Sequence, residues 1–166
     1  MITIISGTNR TGSITKKVAL EYQRLLKEKE TESMVLCLDE HTMLSRDDSF
    51  IQDEATFLTP ADKFIIVSPE YNGSYPGVLK MMIDSTDVSK VWWHKKVLLT
   101  GVSTGRAGNL RGMEHLTGSL LHMKMLVHPN RLPISLVDKL MDQDNRFIDT
   151  GALRAIDCQL NEFLSF

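Results

Sequence analysis

Cysteine is nearly absent from this chain, with only Cys37 and Cys158 among 166 residues. Two isolated thiols exclude a disulfide framework and lack the paired spacing of a zinc site, so both read as reduced core or surface thiols. The five histidines, His41, His94, His115, His122 and His128, form no H-E-x-x-H pattern and have no thiol or acidic neighbours at ligand spacing. No metal is therefore expected. His115 and His122 stand two turns apart on one predicted helix, too far to share an ion, and read as packing residues. An excess of either charge is missing too: the formal net charge is -2 with 24% charged residues, which argues against a dedicated nucleic-acid surface. No apolar run approaches the roughly 20 residues that span a bilayer, and "MITIIS" has neither the basic lead nor the length of a secretory signal. A cytoplasmic protein with no membrane partner is expected.

Repeats, linkers and low-complexity segments are also lacking, and residues 1–166 read as one domain. A domain of that length buries roughly 70% of its unfolded surface and needs no staple. Short apolar runs recur at 2 to 5 (ITII), 34 to 38 (MVLCL), 64 to 67 (FIIV), 97 to 102 (VLLTGV) and 125 to 127 (MLV). Most lack strict alternation, as parallel strands covered on both faces do. Helical stripes fill most of the gaps: Ile14, Val18, Tyr22, Leu25 and Leu26; then Val78, Leu79, Met82 and Ile83 behind Pro76; then Leu110, Met113, Thr117, Leu120 and Leu121; and finally Leu153, Ile156, Leu160, Phe163 and Leu164. Residues 39 to 62 are acidic and polar, with at most a short helix around Ile51 to Leu58. Alternating strand and helix imply an α/β fold. The expectation is a three-layer sandwich around a five-stranded parallel sheet in the flavodoxin-like order 2-1-3-4-5.

Ligands of such folds bind beyond the carboxyl ends of the strands, where the strand order reverses. The loops after strands one, three and four should meet there, and they are rich in turn and hydroxyl residues: SGTNRTGS (6 to 13), SPEYNGSYPG (68 to 77) and STGRAGNLRG (103 to 112). Gly7 and Gly12 have the spacing of the triphosphate loop G-x-x-x-x-G-K-[ST]. Ser13 and Ile14 stand where that loop needs lysine and a magnesium-holding hydroxyl, so triphosphate chemistry is disfavoured. An anion site remains, with Ser6, Thr8, Thr11 and Ser13 as hydroxyl donors, Arg10 as the cation, and a helix N-terminus starting near Ser13. In the second loop a flat heteroaromatic could lie against Tyr71, with Asn72 at its polar edge. In the third, Gly105 and Gly108 allow backbone N–H groups to approach a ligand. Taken singly, each loop also reads as an ordinary turn with a helix cap.

Together, SGTNRTGSITKKVA (6 to 19), PEYNGSYPGVLKMMID (69 to 84) and STGRAGN (103 to 109) resemble the NADPH-dependent FMN reductase family, flavodoxin-like flavoproteins that include quinone and azo-dye reductases. The resemblance implies that Ser6, Thr8, Arg10 and Ser13 hold the FMN phosphate. It also implies that Pro69, Glu70, Tyr71, Asn72 and Gly73 meet the isoalloxazine, with Thr104, Gly105 and Gly108 at its other edge. Thr8 stands where the family commonly has serine, Asn109 replaces the second of a usual glycine pair, and Ser85 follows Asp84 where tryptophan is frequent. The implied activity is hydride transfer from NADPH or NADH to FMN and on to a small-molecule acceptor such as a flavin, quinone or azo compound. The flavin carries that chemistry, so no catalytic side chain is expected. A homodimer or homotetramer is implied as well, with Trp92 and Trp93 otherwise read as core or interface residues. Two other readings stand beside it: a non-enzymatic FMN electron carrier, and a flavin-free binding or scaffold protein that keeps only the fold.

Overall fold

Adjacent residues of a strand point to opposite faces of its sheet, and burial here follows that rule. Ile4, Ile65 and Leu98 enter one core, while their neighbours Ile5, Ile66 and Leu99 enter a second. The computed structural model describes residues 1–41, 45–143 and 146–166. Strands β1 (Ile2–Ser6), β2 (Ser33–Cys37), β3 (Lys63–Pro69), β4 (Lys96–Val102) and β5 (Leu126–Val127) are parallel and ordered β2-β1-β3-β4-β5, as expected. A further strand, β6 (Leu132–Ile134), also pairs with β4, at Thr100 to Val102.

That last feature departs from the expected five strands. The run at 125 to 127 pairs only through Leu126 and Val127, opposite Lys96 and Val97. The chain then turns through Pro129, whose carbonyl accepts the Arg131 N–H at 3.0 Å, and rejoins β4 as a second short edge segment. Pro133 sits in that segment, where a missing N–H is tolerated because the strand lies at an edge.

Helices α1 (Ile14–Glu28) and α6 (Thr150–Ser165) cover one face, placing Val18, Tyr22, Leu26, Ile156, Leu160 and Phe163 against it. The opposite face lies under α2 (Asp48–Asp53), α3 (Gly77–Ser85), α4 (Val88–Val91) and α5 (Leu110–His122). Each fully buried aliphatic or aromatic side chain contributes about 1.5–3 kcal/mol on leaving water. The two cores thus carry most of the burial that holds the sheet together. A buried polar chain reinforces the first face. The Tyr22 hydroxyl lies 2.7 Å from Thr100 Oγ1 and donates to Gln159 Oε1, and Gln159 Nε2 donates to the carbonyls of Leu99 and Asn130. Burial pushes the Tyr22 phenol far above its ordinary range, so it stays a neutral donor.

The acidic stretch from 39 to 62 contains more order than its composition suggests. Asp47 caps α2 by accepting the Phe50 N–H at 2.9 Å, and the helix continues into a π-helical turn over Glu54–Leu58. Phe50 and Leu58 reach the core from it. Glu54 is buried because Arg46 donates to both of its carboxylate oxygens and the Asp87 N–H donates to one. Residues 42–44 lie outside the described part.

Two further expectations, both in α5, are corrected. In α5 the buried stripe is Met113, Leu116 and Leu120, while Leu110 and Leu121 face outward. His115 and His122 are exposed rather than packed, and His115 Nδ1 lies 2.9 Å from the Ser74 hydroxyl. The tandem tryptophans divide: Trp92 is buried and donates from Nε1 to Thr86, whereas Trp93 is exposed with the Lys124 ammonium 3.9 Å from its ring.

Candidate active site

From β1 the chain passes to α1 and β2 on one side and later to β3 on the other, so the strand order reverses at β1. Over that point lies a cleft of about 650 Å³, within the range typical of small-molecule sites. All three loops line it. Of the residues expected to meet a ligand, Arg10, Ser13, Pro69, Glu70, Tyr71, Asn72, Gly73, Thr104 and Gly105 stand in its wall. Ser6, Thr8 and Gly108 do not: the first two are fully buried beneath the loop, and Gly108 packs against Pro133.

The floor is made by the entry to α1. Ser13 caps the helix by accepting the Lys16 N–H at 3.2 Å. The other first-turn N–H groups have no intrahelical acceptor and carry the positive end of the helix dipole. Ile14 and Thr15, in that turn, line the cleft. Gly12 takes left-handed backbone with φ 67°, and a Cβ there would meet nothing within 4 Å, so the loop opens to the cleft without obstruction. Arg10 makes no ion pair among the described residues; its guanidinium lies 4.2 Å from the centroid of the Tyr71 ring. An unpaired arginine beside a helix N-terminus is a strong anion site.

The second loop owes its shape to Asn72 and Gly73, both left-handed, at φ 52° and 76°. They form the centre of a tight turn closed by reciprocal Tyr71 and Ser74 backbone bonds of 2.8 and 3.1 Å. Asn-Gly is the pair that a type I′ turn prefers. The turn holds Tyr71 half-buried in the wall.

Loop three is tied down at its base. Ser103 Oγ accepts the Gly108 N–H at 2.9 Å and donates to the Gly105 carbonyl. Asn109, left-handed at φ 62°, donates from Nδ2 to the carbonyls of Ser68 and Pro69, which joins this loop to the second. Asparagine tolerates left-handed backbone better than most residues, so it keeps the turn that glycine would make. Thr104, Gly105 and Arg106 remain exposed in the cleft. Arg111 lies elsewhere, with Nη1 3.3 Å from where a Gly73 Cβ would sit.

Val137 completes the wall from a single 3-10 turn after β6, its N–H bonded to the Ser103 carbonyl at 3.1 Å. No periodic pattern in the sequence marks that turn, and it was not anticipated. Among the described residues that line the cleft, none form a hydrogen-bonded nucleophile and base pair. The Cys37 thiol, at the end of β2, is pushed up to about 11 by burial and stays protonated at neutral pH. Cys37, Asp39 and Glu40 bring potential ligand atoms within 4.8 Å of one another, yet the Lys16 ammonium already bonds both carboxylates. No helix of the described residues is long and apolar enough to cross a membrane.

The family described as NADPH-dependent FMN reductase matches residues 1–137. The NAD(P)H-dependent FMN reductase of Pseudomonas aeruginosa is 35% identical over 105 residues, which is 60% of this chain and 56% of that protein. A quinone reductase of Escherichia coli is 34% identical over 110 residues, 64% of this chain and 58% of its own length. The alignments therefore span little more than half of these relatives. Among solved structures, the flavoenzyme NAD(P)H:(acceptor) oxidoreductase of Paracoccus denitrificans superposes with a TM-score of 0.81 at 20% identity, over 99% of this chain and 94% of that one.

Proposed function

The chain belongs to the NADPH-dependent FMN reductase family, and from that premise we propose that it is an FMN-dependent NAD(P)H oxidoreductase built as one flavin-binding domain over residues 1–166. The observation that carries the reading is the Arg10 guanidinium, without an ion-pair partner among the described residues, in the same cleft as the N-terminus of α1, Tyr71 and the open backbone of the third loop. A phosphate monoester suits the first part and a flat heteroaromatic the rest. The open space at Gly12 and Gly105, where a Cβ would meet nothing within 4 Å, leaves room for backbone to approach such a ligand from two sides.

When bound, FMN supplies hydride acceptance from reduced nicotinamide and hydride or electron delivery to a second substrate. The protein's part is to bind and orient. Arg10, Thr11, Ser13 and the first-turn N–H groups of α1 take the phosphate. Pro69, Glu70, Tyr71, Asn72 and Gly73 hold one side of the ring system. Thr104 and Gly105 present loop N–H groups where negative charge develops on the ring, which is the usual electrostatic contribution of such donors. Ser6 supports the first loop through its carbonyl, which accepts the Thr8 N–H at 2.9 Å, while its buried Oγ has no partner among the described residues, and Gly108 lets the third loop lie against Pro133.

The co-substrate is NADPH or NADH, with Arg106 in the cleft wall as the cation available to a nucleotide phosphate. The acceptor is a small molecule: a flavin, a quinone or an azo compound. The reading extends to a homodimer or homotetramer, which the exposed Val88 and Trp93 support, and to the cytoplasm, where Cys37 and Cys158 remain reduced thiols. The test is the visible spectrum of the purified protein before and after FMN is added and the excess removed by gel filtration, followed by NADH and NADPH oxidation with a quinone. Retained flavin bands and turnover are expected. A colourless protein that holds no FMN would overturn the reading and leave the fold intact.

A further inference from the structure

Six described residues other than glycine adopt left-handed backbone, and Leu136 is the apolar one, with φ 50° and ψ 37°. Asn72 and Asn109 are of the type that tolerates this conformation, and Glu30, His94 and Lys124 follow the ends of α1, α4 and α5, where helices commonly close in this way. Neither reason applies to Leu136, which precedes a 3-10 turn instead of ending a helix. Its Cβ is strained there, and leucine has no polar group with which to bond its own backbone. The side chain returns nothing to the fold: Ile134 and Val137 enter the core beneath α1 and α6, whereas Leu136 is 38% exposed. An exposed leucine alone is ordinary. One that is also strained costs the folded state twice, and residues held so are a mark of ligand sites.

The strain sits at the rim of the cleft. The Ser103 N–H donates to the Ile134 carbonyl at 3.0 Å, the Leu136 N–H to the Gly105 carbonyl at 3.0 Å, and the Val137 N–H to the Ser103 carbonyl at 3.1 Å. These bonds fasten residues 134–137 along the third loop and keep Leu136 in its left-handed state. Ser103, Gly105 and Val137 all line the cleft, and Val102 and Ala107 add apolar lining from the same loop and the strand before it. Leu136 is thus bonded through its backbone to a wall residue, with its side chain open to solvent beside that wall.

We propose that Leu136 is a specificity-determining residue, an apolar lip at the cleft mouth that contacts the ring of the electron acceptor and favours neutral quinones over hydrophilic acceptors. The proposal rests on the oxidoreductase reading of the cleft given above. A neutral quinone ring removes carbon surface from water against leucine, whereas a small hydrated anion gains nothing from the same contact.

The experiment compares Leu136→Asn, which suits left-handed backbone and removes the apolar side chain, with Leu136→Met, which keeps an apolar one. Both are assayed with reduced nicotinamide and two acceptors: menadione, a neutral naphthoquinone, and hexacyanoferrate(III), a hydrated anion that takes up single electrons. Leu136→Asn should lower kcat/KM for menadione by about tenfold, the scale of a lost apolar contact, and through KM more than kcat. Turnover with hexacyanoferrate(III), the KM for the nicotinamide and FMN affinity should stay at their wild-type values. Leu136→Met should keep the menadione rate. The urea midpoint of flavin-free Leu136→Asn should equal or exceed that of the wild type, because strain is relieved and no packing is lost. Equal losses with both acceptors would mean that the residue acts on flavin or nicotinamide, and unchanged menadione kinetics that it touches no acceptor; either overturns the proposal. A lowered midpoint makes Leu136 a packing residue, and a changed oligomeric state on gel filtration makes it a subunit contact; each overturns the proposal as well. A wild-type protein that turns over neither acceptor refutes the proposed function and the lip with it. A wild type active with hexacyanoferrate(III) but not with menadione refutes the lip alone.

Discussion

Gly12, in the loop after β1, and Gly108, in the loop after β4, both adopt left-handed backbone, with φ of 67° and 55°. Their surroundings are opposite. A Cβ on Gly12 would meet nothing within 4 Å, whereas a Cβ on Gly108 would lie 2.6 Å from Pro133 Cβ and 2.9 Å from the Ile134 nitrogen. The first glycine keeps space open at the cleft, and the second lets a loop lie flat against β6. The same residue type in two similar strand-to-helix turns thus lines an open cleft in one and permits close packing in the other. Arg10 and Asn109 repeat the contrast: the guanidinium has no ion-pair partner among the described residues, while Asn109 Nδ2 donates to two carbonyls.

The largest effect that tests this contrast is Gly108→Ala. Overpacking against the Pro133 backbone adds to left-handed strain, and the expected loss is about 3 kcal/mol in urea unfolding. Equal losses for Gly108→Ala and Gly12→Ala would erase the distinction between the loops. Next comes Asn109→Ala, which strips partners from the buried Ser68 and Pro69 carbonyls and should cost about 2 kcal/mol. Thermal unfolding measures it. Unchanged stability would mean that the third loop is not anchored through this side chain.

Arg10→Ala should behave in the reverse manner. FMN affinity is expected to fall by about tenfold or more, from the loss of charge-assisted bonds, while the urea midpoint stays at the wild-type value. A stability loss without an affinity loss would turn Arg10 from a ligand-binding residue into a packing one. Gly12→Ala should then cost only its backbone strain, about 1 kcal/mol. Acid gives the smallest expected effect and touches neither loop. The Arg46 guanidinium, with the Asp87 N–H, holds the Glu54 carboxyl below its ordinary range. A carboxyl whose pKa is lowered on folding adds stability above its unfolded pKa, about 4.3, and loses that contribution as pH falls through the folded value. Glu54→Gln should flatten the acid limb of a stability profile while leaving the relative ranking of the loop variants as it was.

The site was legible in the sequence wherever a residue's role follows from its own chemistry. Arg10, Tyr71 and the Asn72-Gly73 pair, expected to meet a ligand, stand in the cleft wall, because a cation, an aromatic ring and a type I′ turn announce themselves locally. Ser6, Thr8 and Gly108 were expected beside them from the same loops and lie beneath or behind. A serine or threonine hydroxyl is equally suited to a ligand and to a buried partner, and nothing within eight residues distinguishes the two. Trp92 and Trp93 show the same difficulty, since adjacent residues of identical type have opposite exposure. Val137 gave no signal, because it reaches the wall through a bond to Ser103 from a stretch without periodicity.

What the sequence alone determined is the alternation of apolar runs and helical stripes, and hence the parallel sheet with its order and the edge where the three loops gather. Period and residue type are local properties, and parallel strands demand crossovers of limited geometry. Only the tertiary structure decided which hydroxyls of those loops face the cleft, that the fifth strand is continued by a sixth, and that Asn109 ties the third loop to the second. Those outcomes rest on contacts such as Thr8 with Tyr71 and Asn109 with Ser68, 63 and 41 residues apart. Partners so distant meet only once the two cores have set the sheet, so no local pattern of residues can record them.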